Sequence, residues 1–203
     1  MILLVIAISC EFATCKKNVD CKQIVYSFSG NYVAYPDVDS IKADDTIWID
    51  LEIPTQLQDI GANKLIDFSG AANFGPSIQF LEFSGGDLSN PGAKPAANLF
   101  ENKLVIGTTI SSDRPELVRG FKCKEEAGVY WFKLGVIPKK KGLFAIGVSD
   151  AVGVYRLQNE CEKAMYNLSF KNTNQHLYLY EQSRPGYTPS AYERSHLYCF
   201  KVY

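Results

Sequence analysis

Residues 46–54 read Thr-Ile-Trp-Ile-Asp-Leu-Glu-Ile-Pro. Ile47, Ile49, Leu51 and Ile53 take every second position, and Trp48, Asp50 and Glu52 lie between them. Side chains of a strand alternate between its two faces, so this stretch predicts a strand over 46–53 with one face in a core and the other mostly in water. Pro54 ends it, because proline cannot donate to the ladder.

The same period of two recurs on both sides of this segment. Tyr130, Phe132, Leu134 and Val136 share one face, Phe144, Ile146 and Val148 share another, and Pro138-Lys139-Lys140-Lys141-Gly142 separates them. That arrangement predicts a hairpin whose turn is kept in solvent by three lysines. Further strands are expected over 23–29, 78–83, 103–109, 176–181 and 197–203. Many short strands spaced by turn residues point to a mainly β, antiparallel sandwich or barrel. One segment departs from the pattern. Leu157, Cys161, Ala164, Met165 and Leu168 fall at helical offsets, with Asn159 and Glu162 placed as a cap and its partner, which predicts a helix over 160–171. A strand through Tyr166, Leu168 and Phe170 is the competing reading. The Gly- and Pro-rich stretch 85–95 is expected to be a long surface loop, or a boundary within a single domain spanning 23–203.

The chain has 203 residues, 21 basic and 22 acidic, for a net charge of -1, and 46% are hydrophobic. Such a composition supports a real core, and a near-neutral surface gives no field to gather nucleic-acid phosphates. Ile2 to Ile8 form an unbroken apolar run, too short to span a bilayer but of the length found at the end of a signal peptide. Ser9 and Cys10 follow at once, and Cys15 stands five residues further on. Loss of residues 1–14 would leave Cys15 at the terminus and an even four cysteines, Cys21, Cys123, Cys161 and Cys199, available for disulfides. Pairing of Cys21 with Cys123 and of Cys161 with Cys199 is the expected arrangement. Loss of residues 1–14 would also remove Glu11, bringing the charge to 0 with 21 basic and 21 acidic residues.

An apolar run ending in cysteine resembles a bacterial lipoprotein signal, and Cys15-Lys16-Lys17-Asn18 is similar to the anchor region of envelope lipoproteins of the Bacteroidota. Residues 43–55, with Ala43-Asp44-Asp45 leading into the Thr46 strand, resemble early strands of immunoglobulin-like modules in bacterial envelope proteins. The resemblance implies a signal over 1–14, lipid on Cys15 (or on Cys10), a tether over 15–22, and an immunoglobulin-like sandwich with a C-terminal helix. It also implies attachment to the outer membrane, facing the periplasm or the surface, with a membrane, a glycan or another envelope protein as partner.

No Gly-x-Ser-x-Gly elbow, P-loop or dinucleotide fingerprint occurs, although Gly147-Val148-Ser149-Asp150-Ala151 begins like the elbow. His176 and His196 have no ligand spacing, Asp37, Asp39, Asp44 and Asp45 fail the EF-hand pattern, and no cofactor is expected. Tyrosines crowd the last quarter, and Tyr187 and Tyr192, with Arg184 and Arg194, form the expected binding loop over 182–194. The expected function is non-catalytic binding or assembly. A carboxylate glycan hydrolase, for which Asp50 and Glu52 share a strand face, or a carbohydrate-binding module is the alternative.

Overall fold

The computed structural model describes residues 21–83, 93–171, 175–184 and 186–203. In chain order the strands are β1 (Ile24–Tyr35), β2 (Ser40–Ile41), β3 (Ile47–Pro54), β4 (Gln56–Asp59), β5 (Lys64–Asp67), β6 (Ser77–Phe83), β7 (Ala93–Pro95) and β8 (Phe100–Ile106). There follow β9 (Thr108–Ile110), β10 (Val118–Lys122), β11 (Lys124–Glu126), β12 (Val129–Pro138), β13 (Gly142–Val148), β14 (Ala151–Arg156) and β15 (Asn159–Phe170). Helices α1 (Leu177–Ser183) and α2 (Ala191–His196) precede the last strand, β16 (Leu197–Val202).

Two seven-stranded sheets pack face to face. The first runs β11-β12-β3-β1-β15-β14, with β8 also on β12; the second runs β2-β16-β13-β6-β10-β9, with β7 also on β6. Inward side chains from both meet in a core of aromatic rings. Phe170 lies 5.8 Å from Tyr198, Phe80 5.1 Å from Phe100, and Phe121 5.2 Å from Phe132, each pair joining one sheet to the other. Offset and edge-on contacts at these spacings add to the area each ring buries. As 46–53 predicts, Ile47, Ile49, Leu51 and Ile53 are buried and β3 ends at Pro54.

The first sheet is mixed rather than antiparallel. β1 runs parallel to β15, with Ile24 to Tyr32 opposite Glu162 to Phe170. The segment expected as a helix over 160–171 is therefore strand β15. Ala164, Tyr166, Leu168 and Phe170 are buried in alternation, while Leu157 is 69% exposed and Met165 36%. The helical offsets of Leu157 and Met165 find nothing to pack on, and Tyr166 meets Phe28 at 5.2 Å and Phe74 at 4.1 Å only from an extended chain. Asn159 does spend its side chain on the backbone, accepting from the N–H of Cys161 at 3.2 Å, but as a turn leading into a strand.

The expected 130–148 hairpin is also corrected. β12 pairs with β3, β8 and β11, and β13 pairs with β16 and β6, so residues 139–141 carry the chain from one layer to the other. Alternation shows that each strand has one buried face but is silent on which sheet it joins. Residues 176–181, expected as a strand, form α1, where Leu177 and Tyr180 face the second sheet and Tyr178 is 40% exposed. Of the 85–95 loop, only residues 93–95 lie within the described residues, as β7.

The cysteine pairing differs from expectation. Cys21 is bonded to Cys161, with Cα atoms 6.0 Å apart, and Cys123 and Cys199 are free and buried. Parallel β1 and β15 bring their leading ends together, and Cys21 and Cys161 stand there. Cys199 points away from the core into the layer under α1, whereas Cys123 sits between the sheets, so neither can reach the partner expected for it. Burial pushes both thiols up to about 12.

The β4–β5 hairpin is tied to β1 by the buried Asp59, which accepts from the N–H of Ser27 at 2.7 Å and of Ala62 at 2.6 Å. These bonds hold its carboxyl below the usual range. The ionised form is therefore favoured by folding, and its contribution is full above pH about 4 and is withdrawn as pH falls through the lowered folded value. Asp59→Asn should cost about 1–2 kcal/mol at neutral pH and flatten the acid limb of a stability–pH curve, measured by chemical denaturation. Peptide mapping without reduction should recover Cys21 joined to Cys161, with Cys123 and Cys199 alkylated only after unfolding. Reduction should lower stability by about 3–5 kcal/mol for a loop closed over 140 residues.

Candidate functional site

The outer face of the first sheet carries both tryptophans of the chain. Lys133 lies opposite Asp50, Gly135 opposite Trp48, and Trp131 opposite Glu52, while Tyr35 lies opposite Trp48 on the other side. These cross-strand neighbours make one continuous surface. Gly135 matters here because a Cβ on it would fall 3.0 Å from the Trp48 ring, which lies across that position. The Lys133 ammonium stands 5.2 Å from the Trp48 ring centre and 4.9 Å from that of Tyr35. It donates to the Tyr35 hydroxyl and, at 3.1 Å, to Asp50, which also accepts from Tyr35 at 3.1 Å. The bond to Tyr35 and then that to Asp50 raise the Lys133 ammonium above its ordinary value and keep it charged.

Two grooves open on this face. One, of about 460 Å³, runs beside β1 and β3 and is lined by Asn31, Tyr35, Asp50, Glu52 and Lys171, with Leu57 of the β4–β5 hairpin as its wall. The other, of about 430 Å³, has Val105, Ile106, Gly107 and Trp131 as an apolar floor, with Lys124 and Glu126 beside it. Alternation in 46–54 and 129–136 puts both tryptophans on outward faces. That β12 lies against β3 is what places them on one surface, four rungs apart along the ladder, and no local pattern carries that information.

The expected binding loop is built differently. Glu193 accepts from Tyr187 at 2.8 Å, from Tyr180 at 3.1 Å and from the Ser190 backbone at 2.8 Å, and Ser190 caps α2 in return. Burial raises the Glu193 carboxyl, but the bonds from Ser190 and Tyr187 outweigh it and the net shift is downward. Arg184 lies 4.0 Å from the Tyr187 ring centre and donates to the Tyr180 hydroxyl, and Tyr180 stacks on Phe83 at 4.6 Å. Tyr187 and Arg184 thus join a small second core with Leu197 and Cys199, which seals part of the outer face of the second sheet. Arg194 is exposed, and Tyr192 is 52% exposed and stacked on His196 at 3.6 Å. A cavity of about 190 Å³ under α2 is lined by Gln79, Tyr180, Tyr192, Glu193 and His196.

Ser195, His196 and Asp150 form a line that imitates a hydrolytic triad. Ser195 Oγ is 2.7 Å from His196 Nδ1, and His196 Nε2 is 3.3 Å from Asp150. Yet Nδ1 also faces the Tyr192 carbonyl at 2.9 Å, so this nitrogen is shared between the Ser195 hydroxyl and a backbone oxygen. The Ser195 hydroxyl is likewise engaged by the carbonyls of Ala191 and Tyr192, at 3.2 Å and 3.0 Å, as a serine late in a helix commonly is. A nucleophile and its base work through an undivided hydrogen bond, and here both the Ser195 hydroxyl and Nδ1 are shared with backbone carbonyls.

His176 is buried, with Nδ1 3.2 Å from the Cys199 carbonyl and Nε2 3.7 Å from Asp37. Asp45 accepts from the Lys42 N–H, Asp44 pairs with Lys139, and Asp39 accepts from Ser40 and Tyr178. Among the described residues no three acidic, histidine or cysteine side chains gather as a metal site. Cys10 and Cys15 lie outside the described residues. A fluorophosphonate probe should leave Ser195 unlabelled at neutral pH, and Ser195→Ala should leave stability within about 0.5 kcal/mol, read by mass spectrometry and denaturation. No protein-family model matches this chain, and no curated protein matches it in sequence.

Proposed function

We propose that this chain is a lipid-anchored protein of the bacterial cell envelope that binds a ligand, without catalysis, on the outer face of its first sheet. The observation that carries this reading is the sharing of one open sheet face by Trp48, Trp131, Tyr35 and the Lys133–Asp50 pair. The second sheet has part of its outer face closed by α1 and Tyr187. Half-buried aromatic rings among fixed polar groups offer contact area with little entropy to lose. The immunoglobulin-like resemblance of 43–55 falls on β3 and its approach, which form the centre of this face.

Lipid on Cys15 would leave six residues to Cys21, a reach of about 20 Å when extended. The Cys21–Cys161 bond would then hold the tether at the head of β1.

Cys15→Ser should move the protein from the membrane fraction to the soluble one and remove a diacylglycerol mass, whereas a variant still carrying lipid on Cys10 would transfer the anchor there. A benzophenone side chain placed at the half-exposed Val105 should capture a ligand in cells, and one at Tyr192 should not. Capture only at Tyr192 would overturn the choice of face.

A further inference from the structure

The two grooves differ in a way that selects a chemistry. On one side of Trp48 lies Gly135, and Lys133 and Lys103 approach its ring at 5.2 Å and 6.0 Å. Among the described residues, no ring or cation is stacked on Trp131, and its groove is floored by aliphatic side chains. Lys124 and Glu52 stand directly across from Trp131 on the neighbouring strands, so a ring laid on that indole would meet hydrogen-bonding groups at its edges. Beyond Glu52, Asn31 and Lys171 continue the polar lining toward β1.

We propose that this face takes a neutral oligosaccharide laid across β11, β12, β3 and β1, one sugar on Trp131 and the next in the groove beside Glu52 and Asp50. The inference rests on the reading of this face as the binding surface. Sugars carry apolar C–H faces and hydroxyl edges, and the face presents an aromatic plate followed by carboxylate, amide and ammonium groups in the same order. Charge on this face is close to balanced, because Lys133 is paired with Asp50 at 3.1 Å and Lys124 with Glu126 at 2.8 Å, and Glu52 stands against Lys171 and Lys103; no strong field of either sign is left to select a polyanion or a polycation. A peptide strand is disfavoured, since β3, β12 and β1 are paired along both edges and the one open edge within the site, that of β11, is only three residues long. Four strands at about 4.8 Å spacing span about 14 Å, room for a short oligosaccharide rather than a single sugar.

The chain has only two tryptophans and both lie on this face, so its intrinsic fluorescence reports locally. The full-length protein would be titrated with neutral hexasaccharides (cello-, malto-, manno- and xylo-), and with heparin and polygalacturonate as anionic contrasts, with calorimetry alongside. At least one neutral series should shift the emission. Trp131→Ala should weaken its binding tenfold or more, Glu52→Gln several-fold, Trp131→Phe less than Trp131→Ala, and Tyr187→Ala not at all. Circular dichroism and melting would confirm that each variant is folded. Binding of the anionic glycans alone, lost in Trp131→Ala, would overturn the neutral ligand while leaving the face in place. Binding of any glycan that survives Trp131→Ala but not Tyr192→Ala would overturn the face itself. If none of the six probes binds, the oligosaccharide is overturned, and the Val105 capture experiment separately decides whether the face binds another partner.

Discussion

The parallel pairing of β1 with β15 is the contact on which the rest of the sandwich depends. It joins residues 24–32 to residues 162–170, and a disulfide over a separation of 140 residues clips the leading ends together. Nearly all of the remaining strands are threaded between these two. Closing so long a loop is entropically costly, and the cost is offset by what the pair buries: Phe28, Tyr32, Tyr166, Leu168 and Phe170, all turned into the same core. Gly30 lies on that inward face. A Cβ there would fall 2.5 Å from Ile53, so the missing side chain lets β3 settle against β1 with its isoleucine in the gap.

From that axis the two faces of the molecule diverge. β13 and β16 are buried on both sides, because Ala145, Leu197 and Cys199 turn outward and are covered by α1 and Tyr187. β1, β3 and β12 are buried on one side, and their outward residues are mostly charged, polar or aromatic, with the aliphatic Val25 and Val33 of β1 among them. The aromatic residues of the C-terminal quarter are thus largely used in making the cover, with Glu193 accepting from two tyrosines and holding the helix start at once. The Ser195–His196–Asp150 line belongs to the same cover, since His196 reaches from the end of α2 to the loop after β13.

Much of this was legible in local sequence. Period-two alternation located β3, β6, β12, β13 and β16, and it put Trp48, Asp50 and Glu52 outside. Where alternation and helical spacing overlapped, over 160–171, local pattern was ambiguous and a partner more than a hundred residues away settled it. The tyrosine-rich segment looked like a surface because Tyr and Arg suit binding, yet the same residue types also suit a small core with a polar rim, which is how Tyr180, Arg184 and Tyr187 are used.

The sequence by itself determined the class of structure, a mainly β domain, because the spacing of apolar residues is a local property that each strand carries alone. The tertiary structure decided which sheet each strand enters, that β1 and β15 run parallel, that Cys21 meets Cys161, and that Trp131 stands beside Glu52 on the same face as Trp48. The physical reason is the same in every case. Pairing partners are chosen by burial and hydrogen bonding between segments far apart in the chain, and a period of two says which side of a strand is apolar without saying what will cover it.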